Sequence, residues 1–116
     1  KSIGCEHTLE RDLTARTALI IELYHVATEL TERLKRHNFR GNTLTLKIKF
    51  HDFTQITRSL STPESLFTLQ DILPRAKQLL TEVDYEHHAI RLIGLSVSNP
   101  HEEKKGVWKQ LELPFK

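Results

Sequence analysis

Thr43-Leu44-Thr45-Leu46-Lys47-Ile48-Lys49-Phe50 is the stretch that decides the fold. Leu44, Leu46, Ile48 and Phe50 share one parity, and Thr45, Lys47 and Lys49 share the other. Side chains of a strand point alternately to its two faces, so this pattern predicts a strand with one face buried and one wet. A sheet with one wet face is the mark of antiparallel pairing with helices gathered on the other side. On the wet face Thr45, Lys47 and Lys49 recur at about 6.6 Å. That spacing suits a run of phosphates along a nucleic-acid strand, although polar residues that merely face water would look the same.

Downstream, His51-Asp52 reads as a tight turn and 53–61 as the antiparallel partner. Ile56 and Leu60 agree in parity, but Arg58 falls between them, which predicts a twist or bulge. Ser61-Thr62-Pro63-Glu64-Ser65 reads as a loop. Leu69, Ile72, Leu73, Ala76, Leu79, Leu80 and Val83 form the stripe of an amphipathic helix. Pro74 constrains its start: the preferred reading has Asp71 as the cap with Pro74 in the first turn, and the alternative starts at Thr68 and loses a hydrogen bond at Pro74. Residues 88–98 read as a further strand whose alternation breaks at Leu92-Ile93, predicting a bulge there or burial of both faces.

Upstream, Ile3, Cys5 and Leu9 share one parity in a strand over 1–9. A helix over 14–37 follows from Leu19, Leu23, Val26, Ala27, Leu30 and Leu34. Thr14 is its expected cap with Asp12 near the positive end; Lys35, Arg36 and His37 suit the negative end, and the stretch from Asn38 to Asn42 stops it. The order is β-α-β-β-α-β. It predicts an α+β, two-layer sandwich, ferredoxin-like or a relative, with a four-stranded sheet and both helices on one face.

Beyond residue 98 the periodicity ends. Residues 99–109 read as a flexible linker, and Gln110-Leu111-Glu112-Leu113-Pro114-Phe115 as an apolar peptide suited to a groove. The expected organisation is a domain at 1–98, a linker at 99–109 and a tail at 110–116. With no initiator Met and no signal-peptide pattern, the chain reads as a piece of a longer protein.

Composition narrows the function. The chain has 116 residues, 17 Lys+Arg against 15 Asp+Glu, and a net charge of +2, which excludes a histone-like charge mechanism. Residues 1–61 carry ten bases and seven acids, and 62–116 carry seven bases and eight acids, so the placement of bases matters more than their sum. One Cys excludes an internal disulfide and fits a reducing compartment. No apolar run approaches the ~18 residues of a membrane span. The four glycines are far apart and make no phosphate loop. His87-His88 is the one close His pair, and sequence neighbours do not face one metal. Cys5 and His7 share a strand face and are the only candidate nucleophile and base, but a lone Cys in a strand is more often a small core residue. Nothing assembles a catalytic centre.

Four segments in order resemble one family. Lys1-Ser2-Ile3-Gly4-Cys5-Glu6-His7-Thr8 resembles the segment opening the little-finger domain of Y-family DNA polymerases. Lys47-Ile48-Lys49-Phe50-His51-Asp52-Phe53 is similar to its hairpin, Ile90-Arg91-Leu92-Ile93-Gly94-Leu95 to its last strand, and Gln110–Phe115 to a sliding-clamp-binding peptide. The bacterial DNA polymerase IV branch is the most similar, with the polymerase V type a related alternative. The resemblance implies a domain that packs its sheet on primer–template DNA and touches phosphates, largely through main-chain amides, in synthesis across damaged template. Matching positions are Ser2, Ile3, Gly4, Lys47, Lys49, Thr57, Arg58 and Arg91. It implies clamp binding through Gln110, Leu111, Leu113, Pro114 and Phe115. It implies partners in duplex DNA, the bacterial beta sliding clamp and the rest of the polymerase chain, and a cytoplasmic, nucleoid-associated location with no membrane. The catalytic carboxylates and Mg2+ ions belong to the palm, so this chain is expected to have no polymerase activity and no cofactor of its own. The rival reading is a stand-alone α/β sandwich that binds a partner chain and no DNA.

Overall fold

The computed structural model describes residues 2–99. Its elements are β1 (Ser2–Leu13), α1 (Arg16–His37), β2 (Gly41–Phe50), β3 (Gln55–Leu66), α2 (Leu69–Leu80) and β4 (Ile90–Ser98). The element order is the one the sequence predicts. The proposed linker and tail, with Gln110, Leu111, Leu113, Pro114 and Phe115, lie outside the described residues.

The sheet order is β1-β4-β2-β3, and every neighbouring pair is antiparallel. Strands β1 and β2 therefore run the same way with β4 between them, and β3 and β4 run the same way with β2 between them. The fold is two interlocked split β-α-β units, each closed by one helix. Helix α1 lies over β1 and β4, and α2 over β2 and β3. The core between the layers holds Leu23, Leu30, Leu46, Ile48, Ile93 and Val97, all fully or almost fully buried. No helix among the described residues is long and apolar enough to cross a membrane.

Helix ends depart from expectation for local reasons. Thr14 does not cap α1: Ala15 holds that position with no side-chain hydrogen bond, and the first turn has no acid. Asp12 instead lies in β1, 3.8 Å from Arg91. The other end is as read: Asn38 turns into the left-handed region at φ 49°, and its amide reaches the carbonyls of Leu34 and Lys35. Helix α2 takes the earlier of its two starts. Thr68 and Asp71 form a reciprocal capping box, with Asp71 N donating to Thr68 Oγ1 at 3.2 Å and Thr68 N to Asp71 Oδ2 at 3.0 Å. Asp71 Oδ2 also accepts from Phe67 N at 3.1 Å, offsetting the bond that Pro74 cannot make inside the helix.

The expected loop at 61–65 is strand. β3 runs on to Leu66, and as an edge strand it tolerates Pro63. Its alternation is regular, with Ile56, Arg58 and Leu60 on one side, so no bulge falls at Arg58. The β2–β3 register slips between Gly41 and Thr43 instead. The bulge in β4 sits one residue before the expected place: Lys49 pairs with Leu92 and Phe50 with Ile90, leaving Arg91 as the extra residue. Both faces are buried at Leu92 and Ile93 as well.

Candidate nucleic-acid interface

The face of the sheet away from the helices is built by register. Reading across β1, β4, β2 and β3, one row is Ser2, Ser98, Thr43 and Ser61, and the next is Gly4, Ser96, Thr45 and Ser59. Then come Glu6, Gly94, Lys47 and Thr57, and last Thr8, Leu92, Lys49 and Gln55. Most of these side chains are small or carry a hydroxyl. Cross-strand pairs set several of them: Thr43 Oγ1 lies 2.8 Å from Ser61 Oγ, and Thr45 Oγ1 lies 2.8 Å from Ser59 Oγ. The surface is thus low, polar and free of large apolar side chains apart from Leu92.

Of the eight strand positions read from the sequence, five share this face: Ser2, Gly4, Lys47, Lys49 and Thr57. Arg58 does not. It lies on the helix side with Ile56 and Leu60, and its Nε is 3.7 Å from Glu82. Ile3 also turns toward the core, against which it is partly buried. Arg91, displaced by the bulge, sits at one end of the sheet beside Asp12, with its guanidinium 4.7 Å from the ring centroid of Phe53.

Main-chain groups divide the same way. Arg33 of α1 donates from Nη1 to the carbonyl of Gly4 at 2.8 Å, so that carbonyl points off the free edge of β1. The N–H and C=O of one strand residue leave on the same side, so the Gly4 amide also faces the free edge while that of Ile3 turns to β4. A Cβ at Gly4 would come within 2.8 Å of Ser96 Cβ, so the close approach of β1 and β4 requires glycine there.

The edge is braced from below. His7 Nε2 lies 2.6 Å from Glu29 Oε1, and Arg33 Nη2 donates to Glu29 Oε2 at 2.8 Å. The hydrogen bond to His7 holds the Glu29 carboxyl below its ordinary range, aided by Arg33. Cys5 donates from Sγ to the Val26 carbonyl at 3.2 Å, and burial with help from Glu29 pushes its thiol up to about 11. With His7 engaged by Glu29 and the thiol kept protonated, Cys5 and His7 form no nucleophile–base pair.

At the hairpin tip, Asp52 Oδ1 accepts from Thr54 N at 3.1 Å and from Thr54 Oγ1 at 2.6 Å. These bonds lower its carboxyl to about 2, with His88 at 3.5 Å adding to the effect. They also frame Phe53, which is 65% exposed and sits at φ 70°. His88 stacks on Phe50 with ring centroids 4.3 Å apart, while its neighbour His87 turns to Asp84.

Ser59 and Ser61 of β3 and Ser96 and Ser98 of β4 were missed as part of the surface, although Thr57 was read. The signal was Thr57, Ser59 and Ser61 at alternate positions, and again Ser96 and Ser98. Apolar parity alone does not weigh small polar residues.

Residues 1–113 match the family model described as the impB/mucB/samB family C-terminal domain. The chain belongs to this family. Among relatives of this impB/mucB/samB domain, DNA polymerase IV of Bacteroides fragilis (strain YCH46) is 68% identical over 99% of the chain and 32% of its own length. DNA polymerase IV of Akkermansia muciniphila is 50% identical over 97% of the chain and 32% of its own length. The chain thus spans about a third of the length of these relatives. Its fold matches a solved "Complex of beta-clamp processivity factor and little finger domain of PolIV" at TM-score 0.70 and 23% identity, over 85% of this chain and 88% of that one. It also matches the "Post-insertion binary complex of Dbh DNA polymerase" at TM-score 0.74 and 17% identity, over 84% of this chain and 28% of that one. The four-stranded sheet with two helices is therefore the little-finger architecture of the family.

Proposed function

We propose that this chain is the part of a translesion DNA polymerase that grips primer–template DNA without reading its sequence and tethers the enzyme to the sliding clamp. The observation that carries the reading is the open sheet face. Among the described residues helices cover only one side of the sheet, and the other offers Lys47, Lys49, Thr57, Ser2 and Gly4 together on a low hydroxyl-rich surface beside the free amide edge of β1. Phosphate contacts fix register on a duplex and carry no sequence information, as a polymerase that slides over damage requires. The names of the relatives, and the polymerase complex and clamp complex among the matching folds, point the same way.

In this reading residues 1–98 are the grip, 99–109 the linker and 110–116 the tether, with Gln110, Leu111, Leu113, Pro114 and Phe115 entering the clamp. Arg91 contributes from the sheet end, at the rim of the contact, while Arg58, on the helix side beside Glu82, stands outside it. The chain itself carries no nucleotidyl transfer; that chemistry, with its Mg2+, belongs to the palm of the parent enzyme, working in the cytoplasm at the nucleoid. A clamp raises the effective concentration of a weak grip at the duplex, so two modest contacts suffice together.

Two titrations test the two halves. Lys47→Glu combined with Lys49→Glu should weaken binding to a short duplex roughly tenfold or more at low salt, for any sequence, and flatten the salt dependence. Equal binding by the variant and the parent chain would remove the lysines from the contact. Calorimetric titration into a bacterial sliding clamp should give heat with the 116-residue chain and none with a truncation ending at Ser98. Equal heats would assign the clamp contact to the folded domain instead.

A further inference from the structure

Glu6 is the one acid in the four paired rows of the open face, and it stands in the same row as Lys47. Between them in that row is Gly94, which has no side chain to separate them. Lys47 Nζ donates to Glu6 Oε1 across this gap at 3.0 Å. A Cβ at Gly94 would lie 3.0 Å from Glu6 Cβ and 3.6 Å from Lys47 Cβ, so the glycine is what lets an ion pair form over the strand. The gap is part of a hollow lined by Gly4, Glu6, Thr45, Lys47 and Gly94, with Arg33 also in its lining but bound to Glu29 and the Gly4 carbonyl. Both charged side chains remain partly open, at 50% for Glu6 and 37% for Lys47, so the pair is within reach of a ligand.

We propose that Glu6 is an internal competitor for phosphate: its carboxylate holds the Lys47 ammonium that a DNA phosphate would otherwise take, and so sets the grip weaker than the lysines alone would make it. This rests on the reading of the open face as a DNA surface. A carboxylate and a phosphate oxygen both accept charge-assisted hydrogen bonds from an ammonium, so one displaces the other at Lys47. In those four rows the strand-borne charges are Lys47, Lys49 and Glu6, leaving one net positive charge. Neutralising Glu6 doubles it. An exposed pair is worth little, and the exchange is correspondingly mild and reversible. A surface that must advance along DNA gains from that: the lysine keeps a partner each time a phosphate leaves, and no bare charge is left behind.

The test is Glu6→Gln in the 116-residue chain, titrated with a short DNA duplex over a range of salt. Glu32→Gln, on the exposed side of α1 in the opposite layer, makes the same change in net charge away from the face. Glu6→Gln should bind about two- to fivefold tighter at low salt, with the gain shrinking as salt rises. Its salt slope should steepen by up to about one, for one more neutralised phosphate. Glu32→Gln should gain less, and in a Lys47→Gln background Glu6→Gln should also gain less than in the parent. An unchanged melting temperature of Glu6→Gln ties the gain to the contact. If the parent chain binds duplex with salt dependence but Glu6→Gln gains no more than Glu32→Gln, the competitor role is overturned and the DNA surface stands. If an equal gain persists in the Lys47→Gln background, Glu6 acts by repulsion alone and the proposed exchange is wrong. If neither the parent chain nor Glu6→Gln binds duplex, both readings fall.

Discussion

The two faces of the sheet are made from alternate residues of the same four strands, and they obey opposite rules. Toward the helices, Leu44, Leu46, Ile48, Ile93 and Val97 are almost wholly buried, and the face is fixed by volume. On the other side the neighbours of those same residues, Thr43, Thr45, Lys47, Gly94 and Ser96, are small, hydroxylic or charged. The difference teaches that one strand can carry stability on one parity and binding on the other with little trade between them. A single-residue slip in register would exchange the two sets, so each face guards the other.

Neighbouring residues of β2 give the sharpest way to break this division. Leu46→Ala removes a fully buried side chain and should cost about 2–5 kcal/mol in denaturant unfolding, while Thr45→Ala beside it should cost under about 1 kcal/mol. Similar costs would mean that the hydroxyl face also supports the fold. The Lys47→Glu, Lys49→Glu chain provides the reverse case. It should lose duplex affinity roughly tenfold while its melting temperature stays within a few degrees of the parent, because exposed charges contribute little to folding. A variant that unfolds instead would show the faces to be coupled.

A smaller effect sharpens the comparison at the layer behind. Asp71 is held below its ordinary carboxylate range chiefly by the Thr68 amide, then by that of Phe67, although burial opposes the shift. A lowered folded value means that its stabilisation is full above about pH 4 and is lost as pH falls through that range. Asp71→Ala should therefore cost about 1 kcal/mol at pH 7 and less at pH 3, read by chemical denaturation at each pH. An equal loss at both pH values would assign the effect to helix propensity rather than to the cap.

Sequence reasoning reached the element order, both helices and the buried parity of β1 and β2, because those follow from apolar period alone. It missed the length of β3, since Pro63 and the polar run around it carry turn chemistry that an edge strand overrides. It placed Arg58 on the wrong side for a related reason: a half-exposed arginine at the rim of the helix layer reads as polar, although it holds an inward position. It could not foresee the Arg91 bulge to the residue, because a bulge is set by both partners of a ladder and not by one strand. For the surface, the lysine row was legible from β2 alone. The pairing of Lys47 with Glu6 was not, because the two are forty-one positions apart and meet only through the side-chain-free gap at Gly94.

The sheet order has a consequence in time. β4, the last element among the described residues, occupies an interior slot, bonded to β1 on one side and β2 on the other. Until it arrives, β1 has no strand to pair with, and the β2–β3 hairpin is the only ladder that adjacent segments can close. The β1–β4 and β2–β4 seams both need residues 90–98, so neither can close before that segment is available. Because β4 bonds to both neighbours, substitutions in this nine-residue strand should slow refolding more than equally costly ones in β3.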